Sequence, residues 1–178
     1  IGFGKMEDIK IIKKEIKNFF ILKKNIKGKK ILITAGPTIE PIDPVRYLSN
    51  FSSGKQGYEI ANCAYTYGAE TILITGPTNI EVPEVNKIIK VESAEQMFNE
   101  SMSICKKYGS IDIAFLTAAV SDWKINKTEK KYKKNENIFK QIKFTENKDI
   151  LHMISNLKKN RPKIVCGFAT ETSSLINN

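Results

Sequence analysis

Lys30-Ile-Leu-Ile-Thr-Ala-Gly-Pro-Thr38, followed by Asp43-Pro-Val-Arg-Tyr-Leu-Ser-Asn-Phe-Ser-Ser-Gly-Lys-Gln-Gly57, is the stretch from which the fold is read. The apolar run Ile31 to Ile33 predicts a buried strand over 30–34, stopped by the turn residues Gly36 and Pro37. A long polar loop follows, and apolar periodicity resumes near Gly54. That order is strand, loop, helix, with small residues where a backbone can approach a ligand. A loop of this length without structure of its own is more often functional than idle.

The loop's side chains suit an anionic ligand. Arg46 presents a planar fork to a carboxylate or phosphate, and Asn50 offers a donor and an acceptor. The two share one face if the middle of the loop forms a short helix. Ser52 and Ser53 precede Gly54 at the expected helix start, where free N–H groups favour an anion. Gly54 and Gly57 let this turn pass close to a ligand. The plainer alternative is a surface loop with a capping serine. Gly54-Lys55 is not a phosphate loop of the Walker type, because the upstream glycine is absent, and Gly36, Gly54 and Gly57 do not form GxGxxG.

At 178 residues the chain is long enough for one domain with a sizeable core. No apolar run reaches the roughly 18 residues of a membrane span. The first residue is Ile1, which reads as part of a longer polypeptide. Cys63, Cys105 and Cys166 are scattered in apolar sequence, which predicts reduced core thiols and a cytoplasmic protein rather than a disulfide framework or zinc site. His152 is the single histidine, so a histidine triad has almost nothing to work with.

The formal charge of +10 comes mainly from residues 1–29 and 124–148. Such patches suit nucleic acid, but arginine is confined to Arg46 and Arg161 and no recognition motif accompanies the lysines. The reading is therefore no nucleic acid and no membrane; a phosphorylated small molecule accounts for part of the charge.

The remaining elements alternate. Residues 9–22 carry a rough helical stripe, Ile9, Ile12, Ile16, Phe19 and Phe20, and 25–29 form a turn. A helix is expected over 54–67, a strand over 71–75, a short strand over 87–91 and a helix over 93–107 with a Ser93–Gln96 capping box and a stop at Gly109. A strand over 111–117 runs into Ala118-Ala-Val-Ser-Asp122. Lysine-rich residues 124–144 read as an inserted flap or small hairpin, followed by a helix over 148–158 and a strand over 163–168. This is an α/β domain, three-layered and Rossmann-like, with a mostly parallel sheet. Such sheets bind ligands beyond the carboxyl ends of their strands. Gly36-Pro-Thr38, Gly76-Pro-Thr78, Ala118 to Asp122 and Gly167-Phe-Ala-Thr-Glu171 all follow strands.

With no nucleophile–histidine pair, these residues predict stabilisation of charge on a phosphorylated intermediate. Asp122 suits Mg²⁺ or a ribose hydroxyl, or it is merely a cap. Lys131, Lys133 and Lys134 can close over phosphates, or they are a solvated charge run.

Ile33-Thr-Ala-Gly-Pro-Thr38, Glu40-Pro-Ile-Asp-Pro-Val-Arg-Tyr-Leu-Ser-Asn50, Ser52-Ser-Gly-Lys-Gln-Gly57, Ala118-Ala-Val-Ser-Asp122 and Gly167-Phe-Ala-Thr-Glu171 together resemble the phosphopantothenate–cysteine ligase family of coenzyme A biosynthesis. In bacteria this ligase is usually the carboxyl-terminal half of a bifunctional protein. Residues 2–7 look like the end of its flavin-dependent decarboxylase half, whose FMN belongs to that missing domain. The resemblance implies a decarboxylase tail over 1–8, a linker helix over 9–28 and a ligase domain over 29–178, dimeric through the 38–50 loop. It implies that phosphopantothenate is activated by CTP with Mg²⁺ to an acyl-cytidylate, which L-cysteine converts to the amide.

By the same resemblance, Asn50 and Lys131 are catalytic, and Arg46, Asn50 and Ala119 meet the substrate. Gly36, Ser53, Gly54, Lys55, Gly57, Ala118, Asp122, Lys133, Lys134 and Phe144 line the nucleotide, with Asp122 also at the cation. Ser121 and Trp123 stand where this family more often has Ala and Tyr. The family's triphosphate lysines and last sheet layers follow Glu171 and are not in this chain, so the isolated chain is expected to have little ligase activity. The rival readings are an inactive remnant, a dinucleotide oxidoreductase and a basic nucleic-acid module.

Overall fold

The computed structural model describes residues 10–11, 26–133 and 142–169. Its centre is a five-stranded parallel sheet in the order β5-β4-β1-β6-β9, formed by β1 (Lys30–Ala35), β4 (Glu70–Thr75), β5 (Lys87–Lys90), β6 (Ile113–Leu116) and β9 (Ile164–Gly167). Side chains alternate across β1. Ile31, Ile33 and Ala35 pack against Tyr58, Ala61 and Ala64 of α1 (Lys55–Thr66). Leu32 faces the opposite layer, with Met97 and Ile104 of α2 (Ala94–Tyr108) and Ile150 and Ile154 of α3 (Ile150–Ser155). Helices thus cover both faces, as the near-continuous apolar strands require. The α/β, three-layer reading holds.

Local signals account for the helix ends. Ser93 Oγ accepts from Gln96 N, Gln96 reciprocates, and Gly109 closes α2 with φ +63. The predicted helix 148–158 is shorter, beginning after the cap Asp149 and ending at Asn156.

Two expectations change. The 38–50 segment contains no helix. It folds as an antiparallel hairpin, β2 (Ile39–Asp43) and β3 (Arg46–Ser49), with Ile39 opposite Ser49 and Asp43 opposite Arg46. Pro41 and Pro44 cannot donate to a helical ladder, and the Asp43 carboxylate accepts from the amides of Val45 and Arg46, which turns the chain back. Cys63 is exposed on α1 rather than in the core; Cys105 is buried, and burial pushes its thiol up to about 11. The 124–144 insert is framed by a small sheet, β7 (Trp123–Ile125) against β8 (Phe144–Glu146). The expected alternation over 138–144 and the stripe over 9–22 fall mostly outside the described residues. Among the described residues no helix is long and apolar enough to cross a membrane.

The opposite, amino-terminal edge of the sheet is clamped by Asp112. Its carboxylate accepts from Lys30 N at 3.0 Å and from Lys163 Nζ at 2.7 Å, joining β1, β6 and β9. The Lys163 bond, with the Lys30 amide, holds this carboxyl below its ordinary value. A lowered folded value means the contribution is present above the unfolded carboxylate pKa, about 4, and is lost as pH falls. Asp112→Ala should therefore cost about 2 kcal/mol at neutral pH. In urea unfolding, the gap between variant and parent should narrow as pH falls below the ordinary carboxylate range. A gap that persists there would show that the loss is not this carboxylate's charge.

Candidate functional site

The carboxyl ends of β1, β4, β6 and β9 deliver their following turns to one edge. The turns after β1 and β6 are bonded together: Ala119 N donates to Gly36 O at 2.9 Å, Thr38 N to Ala119 O at 3.3 Å, and Ser121 N to the buried Thr38 Oγ1 at 2.9 Å. Gly36 and Gly54 both have φ +75, and a Cβ on Gly54 would lie 2.7 Å from Thr78 Cγ2. A Cβ on Gly57 would lie 2.5 Å from Thr117 Oγ1 and 2.6 Å from Ala35 Cβ. These glycines let α1 start directly against the strand ends.

Two clefts open at this edge. One, of about 470 Å³, is lined by Ala118, Val120, Asp122, Asp149, Leu151 and Phe168 among others. The second, of about 530 Å³, lies between the hairpin and the turn after β4, and includes Tyr47, Asn50, Ser53 and Thr78. Asn50 joins them: it lines the second, and its Nδ2 donates at 2.9 Å to the carbonyl of Val120, which lines the first. Asn50 is therefore brought against the Ala118–Asp122 turn across 70 residues of sequence.

The other expected residues distribute unevenly. Ala118 and Asp122 line the first cleft, and Ala119 forms the bridge to Pro37. Gly36, Gly54 and Gly57 form the floor at the start of α1. Gly54 is itself the helix cap, so no serine caps it; Ser53 Oγ instead accepts from the Lys55 amide at 3.3 Å. Lys55, Lys131 and Lys133 are exposed, and Lys134 lies outside the described residues. Phe144 is exposed on β8 and does not line either cleft; Phe168 and Leu151 supply apolar lining to the first.

Arg46 does not offer an open fork. Its Nε and Nη2 donate to Asp43 Oδ2 at 2.9 and 2.5 Å, and Nη2 also donates to Tyr132 O at 3.1 Å. The Arg46 guanidinium, helped by backbone amides, holds the Asp43 carboxyl down at about 2. The pair's contribution is thus present above about pH 4 and is lost only as pH falls through about 2.

Glu40 is the other carboxylate that sequence reading passed over. It is buried, and its Oε1 accepts from Ala94 N, the first amide of α2, at 2.8 Å. Burial pushes its carboxyl up, opposed by that amide, Lys124, Asn147 and Thr38. The motif containing Glu40 was legible, but its partners are not: Ala94 lies 54 residues away.

Among the described residues, no group of three or more His, Cys, Asp and Glu could hold a metal ion. Asp122 is exposed at the first cleft, which Glu146 and Asp149 also line; such carboxylates fit a cation that arrives bound to phosphates, because Mg²⁺ commonly takes one or two carboxylates beside phosphate oxygens.

A parallel α/β domain with glycine turns and paired clefts at its carboxyl edge has the arrangement in which such sheets bind small molecules. The chain belongs to the DNA/pantothenate metabolism flavoprotein C-terminal domain family, whose model matches residues 26–178. The family resemblance carried by its motifs is thereby borne out. It is 39% identical over 176 residues to the coenzyme A biosynthesis bifunctional protein CoaBC of Haemophilus influenzae, covering 98% of this chain and 43% of that protein. It is 42% identical over 173 residues to CoaBC of Borreliella burgdorferi, covering 97% and 43%. The crystal structure of the C-terminal domain of a CoaBC superposes with a TM-score of 0.68 at 38% identity, over 83% of this chain and 67% of that one. The chain spans less than half the length of the two curated relatives and corresponds to their C-terminal portion.

Proposed function

We propose that this domain forms phosphopantothenoylcysteine from phosphopantothenate and L-cysteine at the expense of CTP. The observation that carries the reading is Asn50, held between the two clefts by the Val120 carbonyl. A nucleotide in the first cleft and an acyl substrate in the second would meet at that side chain. The carboxylate of phosphopantothenate attacks the α-phosphate of CTP, expelling pyrophosphate. The amine of cysteine then attacks the acyl carbon, loses a proton and expels CMP. Activation is needed because a carboxylate offers an amine no leaving group.

In this scheme Asn50 orients and stabilises the acyl-cytidylate, and Lys131 supplies positive charge during its conversion. Ala118 and Ala119 present backbone to the nucleotide, with Gly36, Ser53, Gly54, Lys55 and Gly57 on the phosphate side. Asp122 meets the Mg²⁺ carried by CTP, and Lys133 and Lys134 belong to the flap. The exposed Val45, Tyr47 and Phe51 support a homodimer through the hairpin. Residues 29–178 would then be the ligase domain, 9–28 a linker, and 1–8 the tail of an FMN-dependent decarboxylase domain.

The test is pyrophosphate release by the native polypeptide that carries this domain, with phosphopantothenate, CTP and Mg²⁺, in the presence and absence of cysteine. Pyrophosphate should form without cysteine, and CMP release should require it. Absence of phosphopantothenate-dependent pyrophosphate release would remove the proposal.

A further inference from the structure

The hairpin and the lysine flap are joined at one atom cluster that the scheme above does not use. Asp43 has a fully buried side chain at the turn between β2 and β3. One carboxylate oxygen makes the turn, accepting from Val45 N and Arg46 N at 2.9 Å each. The other faces away from the turn: it takes the Arg46 fork and accepts from Tyr132 N at 3.3 Å. Arg46 closes the ring by donating to Tyr132 O at 3.1 Å, and its guanidinium lies 6.0 Å from the Tyr132 ring centroid. One residue before Asp43, Ile42 O accepts from Thr128 N at 3.1 Å. Both ends of residues 128–132 are therefore tied to the hairpin that carries Asn50.

We infer that Asp43 is a positioning residue: through Arg46 and the Tyr132 backbone it holds Lys131 in register with Asn50. This rests on the ligase reading and deepens it by assigning Asp43 and Arg46 to a latch rather than to direct substrate contact. The physical reason is charge. Lys127, Lys130 and Lys131 fall within five residues with one acidic side chain, Glu129, among them, and like charges so close along the chain disfavour a single compact geometry. A buried carboxylate that accepts from both Arg46 and the flap backbone offsets that repulsion and sets one geometry.

Asp43→Asn separates the two oxygens' jobs. The asparagine Oδ1 can still accept from Val45 and Arg46 amides, whereas its Nδ2 is a donor facing donors. Hydrogen exchange should show the Tyr132 amide losing protection at least tenfold while the Val45 and Arg46 amides keep theirs. In the native polypeptide, turnover with cysteine should fall about 10- to 100-fold, with KM for CTP moving less than about threefold.

A double-mutant cycle with Lys131→Gln supplies the decisive arm: if Asp43 acts through Lys131, adding Asp43→Asn to Lys131→Gln costs little more. Fully additive losses, or an unchanged Tyr132 amide, overturn the inference. If Asp43→Asn does not fold, Arg46→Gln is put through the same cycle, since it withdraws the fork and leaves the turn. If the parent shows no ligase activity, the ligase reading fails, and the exchange measurement still decides whether the latch exists.

Discussion

Gly76→Ala should lower the melting temperature by roughly 6–12 °C, equivalent to about 3 kcal/mol for a domain of this size. A Cβ built on Gly76 falls inside the Pro37 carbonyl oxygen, and the obstacle is backbone on both sides rather than a side chain that can rotate away. Gly76 N also donates to Ala35 O at 3.0 Å, so the turn after β4 cannot withdraw without breaking the end of the β1–β4 ladder. The displacement would pass to Pro37 and from there to Ala119, its bridge partner. Thermal unfolding followed by circular dichroism checks the stability loss. An unchanged melting temperature would mean that the two turns are not in contact in solution. Nucleotide affinity should weaken in the same variant, because the Gly36-Pro37-Thr38 turn is part of the floor on which both clefts rest.

Asn50→Ala should show the converse: an activity loss of about 10²- to 10³-fold with the fold intact. Asn50 is exposed, and its described bond is a single donation to Val120 O, so stability should change by less than about 0.5 kcal/mol. The magnitude expected for activity follows from the role proposed: a neutral donor aimed at charge that develops on the activated carboxyl group. Pyrophosphate release and cysteine-dependent CMP release, measured with melting temperature on the same preparation, separate the two effects. Near-normal turnover would remove Asn50 from the reacting centre. A large fall in melting temperature would make it a structural strut.

How much of this was readable beforehand depends on how far apart the interacting groups lie. The strands at 30–35 and 70–75 and the helix after Ser93 announce themselves within a few residues, through apolar runs and a capping box. The edge that carries the candidate site was also legible, because the turns at Gly36, Gly76, Ala118 and Gly167 each follow a strand and a parallel sheet sends those turns to one side. The short helix on which a shared face of Arg46 and Asn50 depended does not form, for a local reason that the sequence contains. Pro41 and Pro44 bracket Asp43, and an aspartate two residues before a free amide is a turn signal that outweighs a four-residue spacing. Phe144 was placed by motif order alone; it is exposed on β8 and lines neither cleft, whereas Phe168 lines the first.

The amino-acid sequence by itself determined the layer architecture, the parallel sheet, the edge that carries the candidate site and the family, since each rests on short-range periodicity or on motifs in fixed order. Only the tertiary structure decided what Arg46, Asp43 and Glu40 do. Their partners lie 86, 89 and 54 residues away, at Tyr132 O, Tyr132 N and Ala94 N. A buried charge must find its donors wherever the fold brings them, and no spacing along the chain encodes which backbone amide will be there.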